Sequence, residues 1–129
     1  MTNLKIENVN HKNKKTTDCV VRAIAKASGK DYLVVLKDLY DLSVKTGYML
    51  NDKHCYEKLL EKYGFYKYKQ PKKSDNTKYL VGEIDRLVRL DESAVISCAH
   101  HLTCYAGGDL VDIWDCRYKT IGNYWVKGE

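Results

Sequence analysis

The stretch Thr16-Thr17-Asp18-Cys19-Val20-Val21-Arg22-Ala23-Ile24-Ala25-Lys26-Ala27-Ser28-Gly29 constrains this chain more than any other. It carries its own helix start and stop. Thr17 or Asp18 offers a short side-chain oxygen to the orphan amides of a first turn, and Gly29 tolerates the left-handed conformation that ends a helix. Val20, Ala23, Ile24 and Ala27 form an apolar stripe, with Arg22 and Lys26 expected one turn apart on a wet face. Cys19 then falls in the first turn, where unpaired amides and the helix dipole favour a negative charge. A thiol there ionises more readily, and the thiolate is the nucleophile. A small buried cysteine at a helix start is the competing reading, and position alone does not separate the two.

Two more helices are expected behind this one. Asp31 caps Tyr32–Lys45, whose buried stripe is Val35, Leu36, Leu39 and Leu42, with Gly47 as the stop. Asn51 or Asp52 opens a third, in which Tyr56, Leu59, Leu60 and Tyr63 repeat at helical spacing before Gly64. Phe65–Tyr68 reads as extended and Gln70–Asn76 as an exposed loop around the one proline. Thr77 reads as the start of a fourth helix, with Val81, Ile84, Leu87 and Val88 turned inward. From Ala94 the period shortens. Ala94–Cys98 is a buried strand, His101–Ala106 and Leu110–Asp115 form a hairpin about Gly107-Gly108-Asp109, and Asn123–Val126 is a last strand. Leu4, Ile6 and Val9 are the apolar anchors of a polar N-terminus that adds an edge strand or lies across the surface. Helices first and an antiparallel sheet second make an α+β domain.

The length of 129 residues suits one domain, 1–129, with a single core. No apolar run is long enough to span a bilayer, so no membrane partner is expected, and the polar start does not read as a signal peptide. Five cysteines, an odd number without a CxxC pair, argue against a disulfide framework and for a reducing, cytoplasmic setting. The net charge of +5 favours an acidic partner surface. Lysines interleaved with tyrosines from Lys67 to Lys73 would suit single-stranded nucleic acid. Such a run is more often a solvated loop, and nucleic-acid binding is not expected.

Thiol catalysis needs a base for the thiol proton and a third group to orient that base. The chain supplies Cys19 at a helix start, His101 opening a late strand, and an aspartate on the strand that follows. Asp18-Cys19, His101-Leu102-Thr103 and Ile113-Trp114-Asp115, in that order, resemble the motifs of small papain-like cysteine peptidases, particularly the C39-like group encoded by phages and mobile elements of bacteria. The resemblance spans about residues 13 to 126. It implies a papain-like fold, with the cysteine helix packed on a C-terminal antiparallel sheet. It also implies a Cys19–His101–Asp115 triad acting on a protein or peptide amide without a cofactor, and an oxyanion held by the Cys19 N–H and a side-chain amide at Asn13. Asn13 stands where the family usually has Gln, and Val20 where it usually has Gly. A host protein is one possible substrate or partner.

Three alternatives stay open in the residues. A three-residue hairpin loop sets His101 across from Asp115, whereas a two-residue loop sets it across from Trp114 with Asp112 as its diagonal neighbour. His100 and His101 on one strand point to opposite faces, so one of them reaches Cys19, and the resemblance selects His101. Cys98, His100 and Cys104, with Cys116 or Cys55, would make a zinc set, but no metal is expected, because small core cysteines account for the pattern. A peptidase-like fold that binds and inhibits a host protein without strong catalysis is the other function class, and deamidase or transglutaminase-type chemistry needs the same residues. His11 and His54 read as surface residues.

Overall fold

The computed structural model describes residues 1–128. Three helices, α1 (Cys19–Ser28), α2 (Tyr32–Thr46) and α3 (Lys53–Lys62), form where the capping signals place them. Asp31 Oδ2 accepts from the Leu33 amide (3.1 Å) and Asp52 Oδ1 from the His54 amide (2.8 Å), each supplying a partner that the first turn lacks. Gly29 and Gly47 take left-handed φ of 74° and 83° at the helix ends. Val35, Leu39, Leu59 and Leu60 are fully buried, as their helical spacing requires.

Six strands, β1 (Leu4–Ile6), β2 (Phe65–Tyr68), β3 (Ala94–Cys98), β4 (His101–Ala106), β5 (Asp109–Asp112) and β6 (Tyr124–Lys127), make one sheet in the order β1-β5-β4-β3-β6-β2. The expectation of an antiparallel, C-terminal sheet needs correction. The N-terminal segment adds β1 parallel to β5, and β2 enters from the end of the helical half to pair with β6. The sheet is mixed and draws strands from the whole chain. Helices cover one face, where α1 lies on β4 and Val95, Leu102, Cys104 and Val111 meet Ile24, Leu39 and Leu59. Residues of alternate parity, among them Ala94, Ile96, Tyr105 and Leu110, form a second core on the opposite face with Val81, Ile84 and Ile121.

The fourth helix expected from Thr77 does not form. Thr77 sits in a turn closed by Asp75, and only Val81–Arg86 winds, as a 3₁₀ helix. Backbone pairing outcompetes the helical ladder here: Val81 N–H donates to Lys119 C=O and Gly82 N–H to Arg117 C=O. Val81, Ile84 and Val88 are buried as the pattern asked, so the inward residues were legible although their winding was not.

The β4–β5 hairpin fixes the register that the site depends on. Ala106 pairs with Asp109, so the loop is Gly107-Gly108, with φ of 63° and 85°. Consecutive positive φ angles make a tight turn whose twist matches that of the strands, and glycine takes them without strain. The three-residue loop is thereby excluded. Continuing the count sets Thr103 opposite Asp112 and His101 opposite Trp114, whose rings lie 4.7 Å apart between centroids.

Candidate active site

Cys19 is the first residue of α1, and the Cys19, Val20 and Val21 amides precede the first intrahelical bond, from Arg22 N–H to Asp18 C=O. Asp18 stands at the N-cap but does not cap with its side chain, contrary to expectation. Its carboxylate instead takes three side-chain donors: Arg22 Nε (2.7 Å), the Tyr32 hydroxyl (2.8 Å) and Asn10 Nδ2 (2.9 Å). Burial pushes Asp18 up, but the bonds from Asn10, Arg22 and Tyr32 outweigh it and hold the carboxyl below its ordinary range.

Arg22 corrects a second expectation. It is not on a wet face but only 7% exposed, bridging Asp18 to Asp112 through Nη1–Oδ1 at 3.0 Å. A helix periodicity assigns faces, and it cannot know that a buried carboxylate from a distant strand waits on one of them.

Asp112 ends β5 and is 3% exposed. Its Oδ1 accepts from Arg22 and from the Ile113 amide (2.7 Å), and its Oδ2 lies 2.6 Å from His101 Nε2. With Nε2 engaged by the carboxylate, Nδ1 is the ring nitrogen left to face Cys19. Cys19 and His101 line the same cleft, and each alters the ionisation of the other. Burial pushes the Cys19 thiol up; the bonds from His101 and the Leu102 amide, with the positive charges of His101 and Arg22, outweigh it and lower the thiol below its ordinary value. Burial likewise opposes charge on His101, yet its bonds to Asp112, Cys116 and Cys19 push it up to about 11. Both shifts favour the arrangement of thiolate and imidazolium.

Asp115, expected as the orienting acid, is not in this group. It lies beyond β5 on the surface, where its carboxylate holds Arg117 in a two-point ion pair at 3.0 Å. The two-residue turn is the physical reason, since it shifts the facing positions by one and brings Asp112 to His101. Asp115→Ala is expected to leave the Cys19 alkylation rate unchanged and to alter stability by no more than about 1 kcal/mol, as for exposed ion pairs generally. Alkylation kinetics and urea unfolding of the variant check this.

His100 is not a strand residue. Ala99-His100 is the β3–β4 turn, with His100 at φ 55°, exposed and on the rim of a cleft. That cleft, about 530 Å³, opens over Cys19 and His101 and is bounded by Cys98 and His100 on one side and by Asn51, Lys53 and Tyr56 of the α3 start on the other. Asn13, expected as an oxyanion donor, sits exposed at φ 55° and does not line it. Asn51 is the side-chain amide that does. The sequence marks Asn51 only as a helix-start candidate, because nothing in the spacing joins the α2–α3 loop to Cys19.

The zinc set read from the sequence is not assembled. Cys104 packs into the helix-side core and Cys98 against the opposite one, Cys55 is buried against the Leu39 carbonyl, and His100 is in the turn. A different trio, His101, Asp112 and Cys116, has its donor atoms within 4.8 Å of one another. Those atoms are already committed, His101 to Asp112 and Asp112 to Arg22, and a cation there would face the guanidinium. The trio fits an internal hydrogen-bond network better than a metal centre. His11 and His54 are exposed as expected, stacked on Tyr32 and Tyr48.

Comparison of the chain with protein-family models, curated proteins and solved structures gives no match. Among the described residues no helix is long and apolar enough to cross a membrane.

Proposed function

We propose that this protein is a cysteine-dependent acyl-transfer enzyme, a thiol peptidase of papain-like, C39-like type that acts on a protein or peptide amide. Cys19 is the nucleophile, His101 the acid–base group and Asp112 the residue that orients His101. The observation that carries this reading is the buried chain from Cys19 through His101 to Asp112 and Arg22, with its reactive end open to a cleft. A structural cysteine needs no imidazolium beside it, and a structural His–Asp pair needs no opening.

In the reaction, the Cys19 thiolate attacks the amide carbonyl carbon, and the pair of π electrons moves onto oxygen. The Cys19 N–H, unpaired at the helix start, donates to that oxyanion, with the Asn51 amide across the cleft as a second donor. The imidazolium gives its proton to the departing amine as the C–N bond breaks, leaving a thioester. His101, now neutral, takes a proton from water, which attacks the thioester and releases the acid and the thiolate. Asp112 keeps Nδ1 turned to the sulfur throughout by holding Nε2. The raised His101 pKa extends the alkaline side of the activity profile, and the lowered Cys19 pKa extends the acid side.

The test is mass spectrometry of a bacterial lysate incubated with the wild type or with Cys19→Ala. New protein termini that appear with the wild type alone are the expected result. Deamidated or cross-linked glutamines in their place would assign the same thioester to another acceptor. No difference between the two samples would count against an enzyme.

A further inference from the structure

Two thiols that the proposed reaction does not use lie against the site. Cys98 ends β3 and lines the cleft, so it is reached from solvent. Cys116 follows β5 and is 1% exposed, within the core that covers the far face of the sheet; Cys98 packs on that same core. The Cys116 thiol donates to Asp112 Oδ2 (3.8 Å), and Cys116 and Cys98 each alter the ionisation of the other. The segment after Cys116 is tied to the end of β3, where Gly122 N–H donates to Ser97 C=O (2.7 Å) and Ser97 Oγ accepts from the Asn123 amide (2.9 Å). Backbone pairing thereby ties the segment that follows Cys116 to the end of β3 that carries Cys98, with both side chains on one core.

We propose that Cys98 and Cys116 are a site of reversible oxidative modification, a dithiol that closes to a disulfide on reaction with hydrogen peroxide. The division of labour follows from burial. The hydrogen bond from Cys116 lowers the Cys98 thiol against the opposing effect of burial, and the Lys119 charge adds to this. The same bond, with burial, raises Cys116. Cys98 is thus the half-buried, cleft-facing, ionisable member, and Cys116 the shielded one that resolves it. The Cys98 thiolate attacks one peroxide oxygen, the O–O bond breaks, and hydroxide leaves and is protonated, giving a sulfenic acid. The Cys116 sulfur then attacks the Cys98 sulfur, the S–S bond forms, and the S–O bond breaks as water departs with the Cys116 proton. Two thiols lose two electrons and two protons, and one peroxide becomes two waters.

This site does not depend on Cys19 being a catalytic nucleophile. The full chain, reduced and freed of reductant, is treated with hydrogen peroxide, blocked with iodoacetamide and digested for mass spectrometry. The expected product is a Cys98–Cys116 linked peptide that dithiothreitol removes completely. In Cys116→Ser, which keeps a donor of similar size, the link is lost and dimedone captures a sulfenic acid at Cys98. In Cys98→Ser, Cys116 stays unmodified. A Cys19–Cys98 link in the wild type would overturn the proposal. So would Cys98 passing to sulfinic acid with no link, or stoichiometric zinc bound to the reduced protein.

Discussion

Asp112→Ala is expected to be the most damaging single change in the site, lowering stability by about 3–5 kcal/mol, the usual cost of removing one partner of a buried ion pair. The carboxylate is 3% exposed and serves Arg22, the Ile113 amide and His101 at once. Without it, Arg22 keeps only Asp18, and the His101 imidazolium keeps no carboxylate. Urea unfolding at pH 7 measures the loss. Asp112→Asn retains the volume and most of the contacts but not the charge, and it separates the electrostatic part from the packing part. Acid should erase the difference. Asp18 and Asp112 are both held below the ordinary carboxylate value, Asp112 by His101 above all against the opposing effect of burial. Stability from a depressed carboxylate is present above its unfolded pKa, about 3.9, and is lost as the pH falls through the folded value. The wild type should therefore approach the variant below about pH 4.

His101→Ala is expected to change chemistry more than stability. A thiol at its ordinary pKa of about 8.5 is only ~0.3% ionised at pH 6. A more basic thiolate recovers part of the lost rate through greater nucleophilicity. The net fall in Cys19 alkylation at pH 6 should still be on the order of 10-fold or more, shrinking toward nothing above about pH 9. Cys98 serves as an internal control, since it shares the cleft and has a lowered thiol of its own, yet takes that from Cys116 and Lys119. Its rate should not fall with that of Cys19. Equal loss at both cysteines would mean that the substitution had disturbed the cleft wall instead of removing a base.

How far the sequence could be read follows from the range of the interactions involved. α1, α2 and α3 were legible because their stripes and glycine stops, and the side-chain caps of α2 and α3, are all local, and Cys19 at the helix start came with them. His101 opening β4 was legible for the same reason. Local signals failed where a distant backbone decided the outcome. The segment after Thr77 has helical spacing, yet Lys119 and Arg117 carbonyls take its amides. Arg22 has the position of a solvent-facing residue, yet Asp112, far along the chain, meets it in the core. The choice between Asp115 and Asp112 hung on one residue of loop length. Glycine is at ease in both turns, so composition could not decide it, and the paired register of Ala106 with Asp109 did. Asn51 was legible only as a helix-start candidate and Cys116 only as a candidate zinc ligand; their places beside the site come from the cleft and the groups around His101.

The central claim is that Cys19 rests as a thiolate held by a charged His101, and the pH dependence of Cys19 alkylation in the wild type tests it most directly. Peptide-resolved iodoacetamide labelling across pH 4 to 10 gives a rate for each cysteine separately. The account predicts that the Cys19 rate is already close to its plateau at neutral pH, with its midpoint displaced to the acid side of the ordinary thiol value of about 8.5. Cys55 and Cys104, buried and raised, should label slowly throughout. A Cys19 rate that climbs through a single ionisation at or above about 8.5, in step with an unfolded control, would contradict the ion pair and with it the proposed nucleophile.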